Sequence, residues 1–523
     1  MEMACAIIQM MKKNEKRLFT MVKLDLQTLE SKLWSCANIL RGKLDSAVYK
    51  DYIIGLMFLK RICDEFVYER EQLKLQYDNL PAETVETMLE NPNLYGNFFV
   101  PKNARWNEYR NLNLNIGPVL DKAFKAIEDE PKNYELIGVL TTTNYNDKEK
   151  VPDEKLIQLI QIFDGLNLSS DGLESLDVLG DAYMYLIKMF QDDSGKKGGE
   201  FFTPSQVKTL IVKLLKPKES ESIYDPTCGS GGFLIETINY LKENNCNHKN
   251  VQLYGQENNI STWAMAKLNI LLHGVTGATI YKGDTIRNPQ NVEGAVLKTF
   301  DKVMANPPFS LKEWGIEAAE NNSYNRFNYG VPPKSYGDLA FVEHMLASLN
   351  DKGIMATVVP HGVLFRGGTE GKIREGMLKD DLFEAVIGLP QNLFYGTGIP
   401  AAIIVLNHHK VEEHKGKVLF IDASQGFEKN GNKNQLRNCD VDKIIEAYEA
   451  YRDIDKYSNL VDIQLIIENE YNLNISRYVD VSEDEEEIDI DYVISKISAR
   501  NKEIEETEKQ LNMYLTELGF DTL

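Results

Sequence analysis

Asn306, Pro307, Pro308 and Phe309 follow directly on the apolar run DKVMA, and residue types in this order can do chemistry on a planar amine. Two prolines fix the backbone path and withdraw two N–H donors, which leaves the local carbonyls and the Asn306 amide oxygen as acceptors. An exocyclic amino group carries two N–H bonds, and accepting both draws its nitrogen towards a tetrahedral, nucleophilic form. Phe309 offers a flat face on which a base can stack. The competing reading is an ordinary rigid turn, since Asn-Pro is common punctuation.

Upstream, Asp225-Pro226-Thr227-Cys228-Gly229-Ser230-Gly231-Gly232-Phe233 follows a short apolar run and opens a helical pattern. Glycines there permit a tight turn and a close ligand approach, and a helix N-terminus offers unpaired N–H groups to an anion. Neither the G-K-[ST] of a P-loop nor the spacing G-x-G-x-x-G is present. Glu257 closes the next strand-like run, LYGQE, and Asp284 the one after, YKGD. An acid at the end of a second strand is placed to accept from ribose hydroxyls, and Asp284 then lies near enough to meet an adenine amino group. Either acid alone reads as a helix cap or a solvated strand end. In series after a glycine loop they point to a nucleoside ligand.

These residues need a scaffold that brings successive strand ends together. Short apolar runs at 222–224, 251–254, 278–281, 302–305, 353–359, 385–389 and 401–406 alternate with amphipathic segments. That alternation predicts an α/β fold with a mostly parallel, doubly wound sheet of seven strands, whose ligands sit at the carboxyl ends. Before it, Tyr52, Leu56, Leu59, Cys63 and Phe66 recur in steps of four and three, which predicts a helix with one buried face. Residues 1–190 read as an all-helical domain. The polar, glycine-rich stretch at 191–200 reads as a loop, 191–430 as the α/β domain and 431–480 as its extension. In 481–523 an acidic linker leads into a helix with Ile490, Ile497, Ile504, Leu511 and Leu518 at strict heptad spacing, a seam for packing on another helix. The polar run 310–337, with Tyr324, Phe327, Tyr329 and Tyr336, reads as a mobile loop over the site or a disordered insertion.

The chain has 523 residues and a formal charge of -21. Such acidity argues against a general nucleic-acid coat protein, though not against an enzyme that meets DNA through a partner. No apolar run approaches the ~20 residues of a membrane span. The run at 3–11 lacks the basic segment and cleavage site of a signal peptide. Six scattered cysteines without a C-x-x-C pair suggest a reduced, cytoplasmic protein without a metal site.

DPTCGSGG with NPPF resembles the amino-methyltransferases that use S-adenosylmethionine to methylate adenine N6 or cytosine N4. GGEFFTP at 198–204, YGQEN, PHGVLFRGG, LPQNLFYGTGIP, FIDAS and YNLNISRYVD, with SKLWSCANILRGKLDSAVYKDYIIGLMFLKRICDEF, resemble more closely the modification subunit of type I restriction-modification systems. The likeness runs from about residue 26 to 480. It implies the S-adenosylmethionine-dependent methyltransferase fold and an adenine-specific N6 DNA methyltransferase. By the same resemblance Glu200, Phe201, Phe202, Thr203 and Pro204 enclose the methionine part of the cofactor. Asp225, Thr227, Gly229, Ser230, Gly231 and Gly232 form its loop, Glu257 meets the ribose and Asp284 faces the cofactor adenine. Asn306, Pro307, Pro308 and Phe309 form the catalytic tetrapeptide.

After residue 423 only about 100 residues remain, with no separate domain rich in basic and aromatic residues to read base edges. Sequence recognition is therefore expected elsewhere. The resemblance implies a specificity subunit joined by two modification subunits, a restriction and motor subunit in the larger complex, and double-stranded DNA as substrate. The residues leave open a methyltransferase for RNA or for glutamine in protein, a stand-alone DNA enzyme, and a scaffold without catalysis.

Overall fold

The structure, a computed structural model, describes residues 23–41, 46–96, 98–175, 178–183, 185–186, 203–275, 277–321, 323–394, 398–431, 433–481 and 489–521. These fall into two units, Met1–Val479 and Asp480–Leu523. Glu200, Phe201, Phe202 and the expected loop at 191–200 lie outside the described residues.

The first part of the larger unit is helical: α1 (Leu26–Leu40), α2 (Ser46–Gln76), α3 (Ile116–Glu128) and α4 (Asp153–Asp164). Asp25 starts α1 by accepting the Thr28 N–H at 2.7 Å, satisfying one of the donors a helix leaves open. The α2 stripe of Tyr52, Leu56, Leu59, Cys63 and Phe66 is buried as its spacing predicts, in one cluster with Leu33, Leu120 and Phe163. Two basic residues within the same turns are equally fixed: Lys60 Nζ donates to the Leu166 carbonyl at 2.6 Å and Arg61 to that of Leu168 at 2.7 Å. Between α2 and α3, around Pro92 and Pro101, the chain takes single helical turns.

The sheet that follows has nine strands: β1 (Ser222–Asp225), β2 (Gln252–Glu257), β3 (Thr279–Lys282), β4 (Phe300–Ala305), β5 (Leu349–Pro360), β6 (Phe383–Gly388), β7 (Ala401–Asn407), β8 (Lys417–Asp422) and β9 (Ser458–Asp462). Their order is β9-β8-β6-β7-β5-β4-β1-β2-β3. β7 is antiparallel to β5 and β6, and β9 to β8; the other pairs are parallel. All seven expected strands are present, and two more continue the sheet past β6. KVLFID of β8 is as apolar as its neighbours, while SNLVD of β9 is half polar because an edge strand faces water on one side.

Alternation within the central strands sets two cores. Ala385, Ile387, Ile403 and Val405 point to one face, which α5 (Ser205–Leu215), α6 (Gly232–Glu243) and α10 (Asn438–Ala450) cover. Val386, Ala402, Ile404 and Leu406 point to the other, covered by α8 (Asp338–Ala347) and α9 (Thr369–Lys379). α7 (Ile260–Leu272), mostly apolar, serves both domains: Ala266 and Ile270 join the sheet core, while Ala264, Met265, Leu268 and Leu272 join the helical one.

The stretch 310–337 differs from the mobile loop its polarity suggested. Trp314 and Phe327 are buried with Ile286, Ala319, Ala340 and Phe341 in a small separate core. Widely spaced apolar residues carry this packing, with no periodicity to announce it.

The smaller unit contains α11 (Ile490–Glu517), begun by Asp489 accepting from Tyr492 N–H at 3.0 Å. Ile490, Ile497, Ile504, Leu511 and Leu518 are all exposed. Among the described residues no helix is long and apolar enough to cross a membrane.

Candidate active site

The carboxyl ends of β1, β2, β3 and β4 carry Asp225, Glu257, Asp284 and Asn306 side by side along one edge of the sheet. After β1 the chain turns sharply. Asp225, 1% exposed, accepts from Thr227 N–H at 3.0 Å, and burial pushes its carboxyl well above the usual range. Gly229 (φ +52°) and Gly231 (φ +81°) take left-handed conformations that a side chain would strain. Among the described residues nothing stands within 4 Å of where a Gly229 Cβ would lie. Cys228 N–H donates to the Gln256 carbonyl at 3.0 Å, fastening the loop to β2.

Glu257 reaches back to the same loop. One carboxylate oxygen accepts from Gly229 N–H at 3.1 Å and the other from Asn259 N–H at 2.8 Å. Asp284 has an equally local role, capping the turn after β3: one oxygen accepts the Ile286 and Arg287 N–H groups at 2.9 Å, and the other pairs with the Arg287 guanidinium at 3.0 Å.

Asn306 leaves β4 beside β5, where the Thr357 hydroxyl donates to the Ala305 carbonyl at 3.0 Å. The side chain is 8% exposed. Its Nδ2 donates to Thr203 Oγ1 at 3.0 Å, and its Oδ1 is buried with no partner among the described residues. Pro307 is buried and Pro308 and Phe309 are half-buried. The Phe309 ring meets Phe394 edge to face, with centroids 5.6 Å apart. Ser310, at φ +52°, is held by its N–H donating to Asp338 at 2.7 Å, and Arg366 holds the other Asp338 oxygen at 3.0 Å.

Sequence reasoning missed four residues of this neighbourhood: Phe394, Asp338, Arg366 and Lys208. Phe394 and Arg366 lie inside quoted motifs without an assigned task. Lys208 is buried on α5, which begins just after Pro204, and its Nζ lies 3.1 Å from where a Gly232 Cβ would stand. Only the fold brings these two residues together.

S-adenosylmethionine fits the residues present. The Thr227 hydroxyl is buried without a partner among the described residues, nothing among those residues stands within 4 Å of a Gly229 Cβ, and the Glu257 carboxylate faces the same loop through Gly229 N–H. On the other side of the Thr203–Asn306 bond lies an orphaned acceptor suited to an amino group. Fold and site together define the class of S-adenosylmethionine-dependent methyltransferases.

Comparison with known proteins narrows the class. The family profile described as N-6 DNA Methylase matches residues 174–487, and that described as HsdM N-terminal domain matches 29–163. The MjaVII type I restriction enzyme methylase subunit of Methanocaldococcus jannaschii is 34% identical, over 96% of this chain and 86% of that protein. The MpnII methylase subunit of Mycoplasma pneumoniae is 29% identical, over 91% and 94%. The crystal structure of the type I restriction-modification methyltransferase subunit from Streptococcus thermophilus superposes with a TM-score of 0.77 at 32% identity, covering 87% of this chain and all of that one. The chain belongs to the N-6 DNA methylase family, as a modification subunit of a type I restriction-modification system. Its substrate base is adenine in DNA, its methyl donor is S-adenosylmethionine, and its setting is a multisubunit system with specificity and restriction subunits.

Proposed function

We propose that Asn306, Pro307, Pro308 and Phe309 hold an adenine flipped out of the duplex, with Asn306 Oδ1 accepting from its N6 amino group and Phe309 supporting the ring. The observation that carries this reading is the Asn306 amide, whose nitrogen is committed to Thr203 and whose oxygen is buried and unsatisfied. An unmet buried acceptor costs ~1–3 kcal/mol, and a bound amino group returns that cost. Flipping a base costs a few kcal/mol, so contacts made only in the pocket must offset it.

When bound, S-adenosylmethionine supplies a methyl group already activated on a sulfonium. The chain's residues orient and hold. The loop of Asp225, Thr227, Gly229, Ser230, Gly231 and Gly232 leaves room at its backbone, Glu257 accepts from ribose hydroxyls, and Asp284 borders the adenine of the cofactor. Glu200, Phe201, Phe202, Thr203 and Pro204 enclose its methionine end, and Thr203 also keys the Asn306 amide. A good leaving group needs no strong base before attack, so catalysis rests on alignment and on the Asn306 acceptor.

We assign 1–190 to the helical domain, 191–430 to the catalytic domain, 431–480 to its extension and 481–523 to docking. Two copies join one specificity subunit, which reads the DNA sequence in the cytoplasm, and α11 packs its heptad face on that subunit. The exposure of all five heptad residues supports this. The test is transfer of labelled methyl groups by the full chain with its specificity subunit, offered DNA, RNA and protein. Label in DNA adenine is expected; label confined to RNA or to glutamine in protein would overturn the assignment.

A further inference from the structure

The insertion 310–337 begins immediately after the tetrapeptide, yet its one buried guanidinium among the described residues is spent on the cofactor side of the site. Arg326 is 3% exposed. Its guanidinium donates to the Thr285 carbonyl at 3.1 Å and to the Ile286 carbonyl at 2.7 Å, the two residues that follow Asp284. It also lies 3.3 Å from His344 Nδ1. An arginine only donates, so this ring nitrogen accepts and the proton of the neutral imidazole sits on Nε2, 3.3 Å from the Tyr224 hydroxyl. Burial and the adjacent guanidinium hold the His344 pKa well below its usual value, consistent with a neutral ring. The circuit closes through Thr285, whose hydroxyl donates to the Pro226 carbonyl at the entry of the glycine loop, two residues beyond Tyr224.

We propose that Arg326 is a positioning residue for cofactor binding: through the ring Arg326, Thr285, Pro226, Tyr224 and His344 it fixes the 284–287 turn against the glycine loop. Two neighbouring carbonyls match the planar fork of a guanidinium and not the single ammonium of lysine. The Phe327 ring 5.2 Å from the guanidinium carbon completes its seat. A buried cation is weak evidence for stability as such; here two of its donors go to the Thr285 and Ile286 carbonyls, in the turn that follows Asp284. The inference rests on the proposed reading that Asp284 borders the cofactor, and the experiment separates the two.

The experiment measures the dissociation constant of S-adenosylhomocysteine by calorimetry on the full chain, for wild type, Arg326→Lys, Arg326→Met and Asp284→Ala, alongside melting temperatures. Steady-state methylation is measured with the specificity subunit present. Arg326→Lys with an unchanged melting temperature is expected to weaken S-adenosylhomocysteine about tenfold and raise the cofactor KM in step, while kcat at saturating cofactor and KM for DNA stay within about twofold. Arg326→Met is expected to weaken it further, and should it not fold, the lysine variant decides alone. Unchanged affinity in folded Arg326→Lys, with Asp284→Ala weakened, overturns the role of Arg326 only. Unchanged affinity in Asp284→Ala overturns the reading of the turn and the proposal with it.

Discussion

Nδ2 of Asn306 donates to Thr203 Oγ1 across 103 positions of sequence, at 3.0 Å. An amide has a donating and an accepting end, and in this arrangement Thr203 takes the donating end and leaves the accepting one for the substrate. Thr203→Val removes the partner and lets the amide turn over, so kcat is expected to fall about tenfold, equivalent to ~1.4 kcal/mol. Thr203→Ser, which keeps the hydroxyl, is expected to stay near wild type. Single-turnover methylation by the complex reads both; equal rates in all three proteins would remove Thr203 from the account.

Glu257 holds the glycine loop through Gly229 N–H, and the proposed ribose contact falls on the same carboxylate. Hydrogen bonds to a charged group contribute ~1.5–3 kcal/mol, so Glu257→Gln is expected to raise the dissociation constant of S-adenosylhomocysteine by about 10- to 100-fold. Calorimetry checks this, and an unchanged constant would contradict it.

Glu343, on α8, is 1% exposed, and burial raises its pKa to about 9. One oxygen accepts from Tyr329 N–H at 3.2 Å, and the other has no partner among the described residues. The folded state therefore binds a proton that the unfolded state releases near its ordinary carboxyl pKa. Stability from this group is full below about 4.5 and is lost as pH rises towards about 9. Glu343→Gln removes the dependence, so its melting temperature is expected to gain on wild type by a few degrees between pH 5.5 and 8.5, read by scanning calorimetry. A constant gap would contradict the assignment.

The tail offers a coarser test. Residues 480–523 hold 14 acidic and 4 basic side chains, so they carry -10 of the total -21. Removing 481–523 is expected to abolish co-purification with the specificity subunit while leaving S-adenosylhomocysteine binding unchanged. Retained assembly would exclude α11 as the docking element.

What was legible in the sequence was whatever is local. The α2 stripe, the seven apolar strands and the α11 heptad each repeat a short period, and the periods match the elements found. DPTCGSGG and NPPF announce themselves because backbone-restricting residues carry their meaning in place. The rest depends on contacts between distant segments. SNLVD of β9 is half polar and pairs only because β8 is there to receive it. The core around Trp314 and Phe327 draws on Ile286, before the insertion, and Phe341, after it. Thr203 is expected from the motif to belong to the cofactor enclosure, and its bond to Asn306 exists only once α5 and β4 are packed. Asp284, expected to face the cofactor adenine, also caps the turn after β3 and pairs with Arg287, partners that sequence spacing does not reveal.

The central claim is that Asn306 Oδ1 accepts from the amino group that is methylated. Its most direct measurement is the single-turnover rate of methyl transfer to a DNA duplex bearing the target site, comparing wild type with Asn306→Ala in the complex, at saturating cofactor and with cofactor affinity measured in parallel. The account expects a loss of at least about 100-fold in rate, with S-adenosylhomocysteine affinity within about twofold of wild type. A variant that methylates at the wild-type rate while binding cofactor normally would contradict it.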